Sequence, residues 1–332
     1  MFVDAQHGWA LTTHGCGGWR RCLRVLRTAD GGRSWQPVGV PPGAKAPRES
    51  LSCSNVINQD RPCIEHLTFA DARTGYAWGD RLLYVTRDGG QSWSRRNGAA
   101  GSLAAADGAV LRTRFFAGTQ VVERADAEAR DWRIVADAVT RTSQPKLVQS
   151  AARVSLVESQ GAYGDVDVPP RTIISTTADG GRSWQRVNTD PCPRPHTITT
   201  VGVVLAPDAT AVATCFDRSS LRWEYCESLD GARTFGAVRA LPAPQEGNPG
   251  PLVAVSRSVL LSLDLDSTTG AVMHLYRTAD GGQSWHDVGL PAHGVDTMAF
   301  ATPTFGYAIT ANYRGVAYTH DAGATWHTAY LP

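Results

Sequence analysis

An all-β fold, a ring of seven four-stranded antiparallel blades, is predicted by three features of this 332-residue chain. One octapeptide recurs along its whole length. The aromatic residues closing its copies, at 35, 93, 132, 184, 235, 285 and 326, stand 39 to 58 residues apart, the length of a four-stranded propeller blade. Between them lie short runs rich in β-branched and aromatic residues, bounded by Gly and Asp, with no convincing helix. A chain of this length would ordinarily suggest about two domains. A repeat architecture instead makes residues 1–332 one seven-bladed domain.

The best copies are Thr28-Ala-Asp-Gly-Gly-Arg-Ser-Trp35, Thr86-Arg-Asp-Gly-Gly-Gln-Ser-Trp93, Thr177-Ala-Asp-Gly-Gly-Arg-Ser-Trp184 and Thr278-Ala-Asp-Gly-Gly-Gln-Ser-Trp285. Weaker copies are Ser228-Leu-Asp-Gly-Ala-Arg-Thr-Phe235 and Thr319-His-Asp-Ala-Gly-Ala-Thr-Trp326, and a decayed seventh runs from Glu123 to Trp132. The pattern is that of a tight hairpin. The carboxylates of Asp30, Asp88, Asp179, Asp230, Asp280 and Asp321 can accept backbone amides two or three residues on. The Gly takes a positive φ that a Cβ would resist. The hydroxyl residues tie each side of the turn, and the aromatic leaves it to pack into the blade, with all seven expected to be buried.

These octapeptides resemble the Asp-box (BNR) repeat of sialidases, sortilin-type receptors, some endoglucanases and a photosystem assembly factor. The resemblance covers the whole chain and implies a propeller. It implies no shared activity, because function sits in sites grafted on a fold.

Strands can be placed around each box. In blade two they are His66 to Asp71, Gly75 to Trp78, Leu82 to Thr86 and Ser92 to Arg95. In blade seven they are Thr297 to Phe300, Gly306 to Ile309, Gly315 to Thr319 and Trp326 to Tyr330. Blade one has Gly8 to Leu11 as its second strand and only about Met1 to Asp4 as its first. A chain opening inside a strand predicts a segment upstream, such as a removed export signal.

Propeller geometry sorts the loops. Turns joining first to second and third to fourth strands lie on one face, which therefore carries the boxes; being short and uniform, these are read as structural. The other face carries the long, irregular connections: 39 to 65, 160 to 169, 217 to 223, 265 to 270 and the loop between Cys16 and Cys22. Variable loops on a rigid scaffold are where binding sites sit. The candidate binding residues there are Trp19, Arg20, Tyr163, Asp165, Asp167, Arg218, Arg222 and Trp223.

No catalytic set stands out. Sialidases clamp a carboxylate with three arginines, the first in an Arg-Ile-Pro motif, and use a Tyr–Glu nucleophile pair with an Asp acid/base. Here Arg20, Arg21, Arg24 and Arg27 precede the first box, none followed by Ile-Pro, so no standard sialidase is expected. Another glycosidase would need two carboxylates roughly 5 to 9.5 Å apart. Asp165/Asp167 and Asp264/Asp266 have a compatible spacing but read better as solvated loop acids. His320 and His327 read as surface or packing residues, and a metal shared by His66 and His196 is weakly supported. No metal or other cofactor is expected, since no Cys-x-x-Cys occurs.

A formal net charge of +1 gives no electrostatic reason to expect nucleic acid. Arginine supplies nearly all the positive charge, as a GC-rich genome would dictate, and no run of ~20 apolar residues exists to span a membrane. The seven cysteines predict the disulfides Cys16–Cys22, Cys53–Cys63 and Cys192–Cys215 with Cys226 free. A Cys215–Cys226 bond is the rival. Disulfides would place the protein outside the cytosol, secreted or in the cell envelope. Two functions remain. One is a non-catalytic, monomeric propeller holding a protein, peptide or glycan on its loop face. The other is a carbohydrate-active hydrolase or lyase at the channel mouth.

Overall fold

The computed structural model describes the chain apart from residues 18–20, 47–62, 80, 99, 118, 138–144, 151–152, 161–170, 188–190, 193–197, 209, 218–221, 243–247, 266–271, 290–294 and 311–314. The described residues form seven antiparallel sheets and no helix, so none is long and apolar enough to cross a membrane. Blade one holds β1 (Gly8–Gly15), β2 (Arg21–Thr28) and β3 (Gln36–Val38). Blade two holds β4 (His66–Phe69), β5 (Gly75–Gly79), β6 (Leu82–Thr86) and β7 (Ser94–Arg96). Blade three holds β8 (Leu103–Ala106), β9 (Ala109–Phe116), β10 (Thr119–Asp126) and β11 (Arg133–Asp137). Blade four holds β12 (Lys146–Ser150), β13 (Arg153–Gln160), β14 (Arg171–Thr177) and β15 (Gln185–Val187). Blade five holds β16 (Ile198–Leu205), β17 (Ala211–Asp217), β18 (Arg222–Ser228) and β19 (Arg239–Ala240). Blade six holds β20 (Asn248–Ala254), β21 (Leu260–Leu265), β22 (Val272–Thr278) and β23 (His286–Asp287). Blade seven holds β24 (Val295–Phe300), β25 (Gly306–Thr310), β26 (Gly315–Thr319) and β27 (His327–Tyr330). Consecutive strands pair in each sheet, so every blade is an up-and-down meander.

Two strand ends differ from expectation for the same reason. Blade one has three strands, and Met1 and Phe2 alone stand at its innermost position, through a Phe2–Gly8 bridge. Asp4 does not continue the strand. Its carboxylate accepts the Gln6 and His7 amides, both at 2.7 Å, and makes the turn. Asp71 likewise accepts the Arg73 and Thr74 amides at 2.7 Å, which ends β4 at Phe69.

The core is a set of seven clusters, each between two neighbouring blades, and each takes one closing aromatic. Of these seven rings only Trp35 and Trp93 are buried, covered by Phe2 and by Gly39. Trp132, Trp184, Phe235, Trp285 and Trp326 pack on their clusters but stay half-buried, which corrects the expectation of seven buried rings. One cluster closes the ring. It joins Phe2, Leu26 and Trp35 of blade one to Phe305 and Val316 of blade seven.

Candidate functional site

The box face is built from groups that satisfy one another. In the first box the Thr28 hydroxyl donates to Asp30 Oδ1 at 2.8 Å and accepts the Gly32 amide at 3.0 Å. The Ser34 amide donates to Asp30 Oδ1 at 2.9 Å and its hydroxyl to Oδ2 at 2.6 Å. The bonds recur around Asp88, Asp179, Asp230, Asp280 and Asp321. Four boxes are also tied to their own blade: the Gly31, Gly89, Gly281 and Ala322 amides donate to carbonyls of the neighbouring turn. Several are gripped by the preceding blade. Arg124 Nε donates to Gly180 O at 2.8 Å, Arg277 Nε to Ala322 O at 2.9 Å, and Trp9 Nε1 to Gly89 O at 2.9 Å. These connections make the boxes joints of the ring.

The decayed copy in blade three has lost the box chemistry. Ala125 and Ala127 stand where the hydroxyl and the Asp belong, and Ala129 keeps the positive φ, 53°. The turn is held otherwise. Asp126 Oδ1 accepts the Arg130 amide at 3.1 Å, Tyr76 donates to Ala127 O at 2.8 Å, and Glu128 pairs with Arg87 and Arg96 of blade two.

The other face differs from blade to blade. The β1–β2 hairpin is closed by the Cys16–Cys22 disulfide, with Cα atoms 5.8 Å apart. Trp19 and Arg20 lie outside the described residues, as do Tyr163, Asp165, Asp167 and Arg218. In blade five Arg222 is exposed, while Trp223 is half-buried, its ring 4.9 Å from Phe216. The described structure thus brings Arg222 and Trp223 to the end of one hairpin and leaves the other candidates unplaced.

Sequence reading missed an exposed aromatic pair on this face. The β9–β10 hairpin is three residues longer on each side than its β5–β6 counterpart and ends in Phe115 and Phe116, 61% and 46% exposed. Beneath it Glu123 accepts Arg112 at 2.7 Å and Arg114 at 2.6 Å. Burial raises the Glu123 carboxyl, but Arg114 and Arg112 outweigh it and hold it below the usual carboxylate range. Arg112 also lies 3.8 Å over the Trp132 ring. A charge pair across adjacent strands depends on register, which spacing alone does not show.

Cys192–Cys215 is formed, with Cα atoms 6.0 Å apart, and Cys226 is a buried thiol outside any disulfide, donating to Pro191 O. The rival bond is ruled out by register, since Cys215 faces Glu224 and Cys226 faces Ala213. Cys63 is buried and disulfide-bonded. Its expected partner Cys53 lies outside the described residues. These bridges suit an oxidising compartment.

Asp264 corrects an expectation. It is no solvated loop acid, but lies in β21 opposite Pro249 and His274 and is 5% exposed. Asp266 and His196 are outside the described residues. His66 stacks 5.0 Å from Trp78, and His320 and His327 pack against Tyr318. Among the described residues no group of three His, Cys, Asp or Glu could hold a metal.

The family description BNR/Asp-box repeat matches residues 84–95, the second box and its flanks. No curated protein matches. Three solved structures share the architecture. YCF48 bound to D1 peptide is 16% identical, with all of this chain over 90% of that chain and a TM-score of 0.56. Prolyl oligopeptidase B from Galerina marginata is 9% identical, with 98% of this chain over 50% of that chain and a TM-score of 0.60. Kuenenia stuttgartiensis hydrazine synthase is 12% identical, with 80% of this chain over 78% of that chain and a TM-score of 0.51. At these identities the likeness shows the fold alone. Blades, boxes and matches together make this chain an Asp-box β-propeller of seven blades.

Proposed function

We propose that the chain is an exported, monomeric and non-catalytic binding or scaffold module that holds a protein, peptide or glycan on its loop face. The observation that carries this reading is the contrast between the faces. On the box face the hydroxyl, amide and carboxylate groups of the boxes bond to one another. The loop face projects Phe115, Phe116 and Arg222 into solvent, and solvent-exposed aromatic and Arg side chains are the residue types that anchor partners. Trp19, Arg20, Tyr163, Asp165, Asp167, Arg218 and Trp223 belong to the same proposed face. A peptide complex on the shared fold supports the peptide option. The bridges at Cys16–Cys22 and Cys192–Cys215 support export.

Protein, peptide and glycan arrays probed with the purified chain would supply a partner. Phe115→Ser with Phe116→Ser, and separately Arg222→Ala, should then weaken that partner about tenfold or more at unchanged melting temperature. Unchanged affinity in every variant, or turnover of sialoside or other glycoside reporters well above buffer, would contradict the proposal.

A further inference from the structure

Asn97 and Gly98 form the one Asn-Gly pair in the sequence. In such a pair the glycine nitrogen can attack the asparagine side-chain carbonyl, because no Cβ on the second residue blocks the approach. The attack is favoured in a folded chain when the asparagine is exposed, the glycine amide is not engaged in a hydrogen bond, and the backbone lies outside a strand ladder. All three conditions hold here. Both residues are exposed and lie in the bend after β7, whose pairing ends at Arg96. Among the described residues the Gly98 amide donates to no acceptor and the Asn97 side chain makes no hydrogen bond. The Asp-Gly pairs of the boxes are held differently. There Asp30 is fixed by the Ser34 amide and hydroxyl, and the Gly31, Gly89 and Gly281 amides are committed to carbonyls.

The fold requires a glycine at 98. Its φ is 104°, a conformation that L side chains resist, and a Cβ there would collide with the Arg112 guanidinium. Arg112 cannot retreat, since Glu123 holds it at 2.7 Å and it lies 3.8 Å over the Trp132 ring. A bulkier residue that would shield the Asn97 carbonyl is thereby excluded.

We infer that Asn97 is a site of spontaneous deamidation. The Gly98 nitrogen bonds to Asn97 Cγ, the side-chain nitrogen leaves as ammonia with the Gly98 amide proton, and a succinimide ring closes. Water then opens one of the two ring bonds to the Gly98 nitrogen, leaving aspartate or isoaspartate at 97. The new carboxylate forms beside Arg112, whose Nη1 donates to the Asn97 carbonyl at 3.4 Å. Arg112, Arg114 and Glu123 are two cations and one anion, and the modification makes the group neutral at the base of the hairpin that ends in Phe115 and Phe116. The inference does not rest on the loop-face reading, because the reaction needs no partner.

Ageing the purified chain in mildly alkaline buffer, with peptide mass mapping and labelling by an isoaspartyl methyltransferase, tests it. Asn248 is the internal control, since it precedes Pro249, whose nitrogen carries no proton. Asn97 should convert about tenfold faster than Asn248 or more, with isoaspartate at 97. Asn97→Gln should lose both the acidic species and the methyl label. In Asn97→Asp the ¹H–¹⁵N signal of the Arg112 side chain should shift while that of Arg124 stays. An Asn97 that stays intact in the folded chain, or that converts only in denaturant, would overturn the inference. An Arg112 signal unmoved in Asn97→Asp would overturn the placing of the new charge.

Discussion

Asp88 shows how one carboxylate closes a turn. It accepts the Thr86 hydroxyl at 2.8 Å, the Ser92 amide at 2.9 Å and the Ser92 hydroxyl, so Asp88→Ala leaves three donors to water. Loss of such a cap should cost about 1 kcal/mol, read as a lower denaturant midpoint, with partner binding on the loop face unchanged. The same bonds set an acid limit. Burial pushes the Asp30 carboxyl up, but the Ser34 hydroxyl and amide, the Thr28 hydroxyl and the Arg33 amide outweigh it and hold it at about 2. Asp88, Asp230 and Asp321 are lowered against burial in the same way. At Asp179 and Asp280 the Ser183 and Ser284 hydroxyls are the largest influence, and both carboxyls sit well below the usual range. Folded values below an unfolded value near ~4 mean this stability is complete above that pH and is lost as pH falls toward about 2. The midpoint should hold from pH 7 to 5 and fall below ~4, more shallowly in Asp88→Ala. A fall concentrated between pH 7 and 5 would contradict this.

At the scale of the strand, a Phe laid over a Gly recurs in three blades. A Cβ on Gly8, Gly75 or Gly306 would come within 2.6, 2.4 or 2.5 Å of the rings of Phe2, Phe69 and Phe300. Phe69 is itself stacked on Trp9 at 3.7 Å and cannot retreat. Gly75→Ala should therefore destabilise by about 1 to 3 kcal/mol, while Gly108→Ala, which meets no atom, should cost only the strain of its positive φ, 65°. Such contacts also show what was legible beforehand. The boxes could be read because hydroxyl, Asp, Gly and aromatic each have one fixed role in the turn. Blade three could be placed only by Trp132, since Ala125, Ala127 and Ala129 carry no hydrogen-bonding side chain. Arg222 and Trp223 were read as part of the connection from 217 to 223, whereas cross-strand pairing with Asp217 and Phe216 places both in β18. Phe115 and Phe116 were not legible, because their exposure follows from the extra length of β9 and β10, which periodicity does not reveal.

For the whole molecule, seven interfaces must form together for the ring to close. The seventh joins the two ends of the chain, with Phe2 and Phe305 rings 4.9 Å apart and Arg24 donating to the Pro332 carbonyl. Phe305 is completely buried, so Phe305→Ala should cost about 3 to 5 kcal/mol and loosen blades one and seven before the rest. Uniform loss across all blades would mean that ring closure is no weaker than the other interfaces. The division of labour between the faces is the central claim, and hydrogen–deuterium exchange on the free and partner-bound protein tests it most directly. Protection on binding should concentrate in the β1–β2, β9–β10 and β17–β18 hairpins, with the amides of Ser34, Ser92, Ser183 and Ser284 unchanged. Protection confined to those box amides, with the three hairpins unaffected, would contradict it.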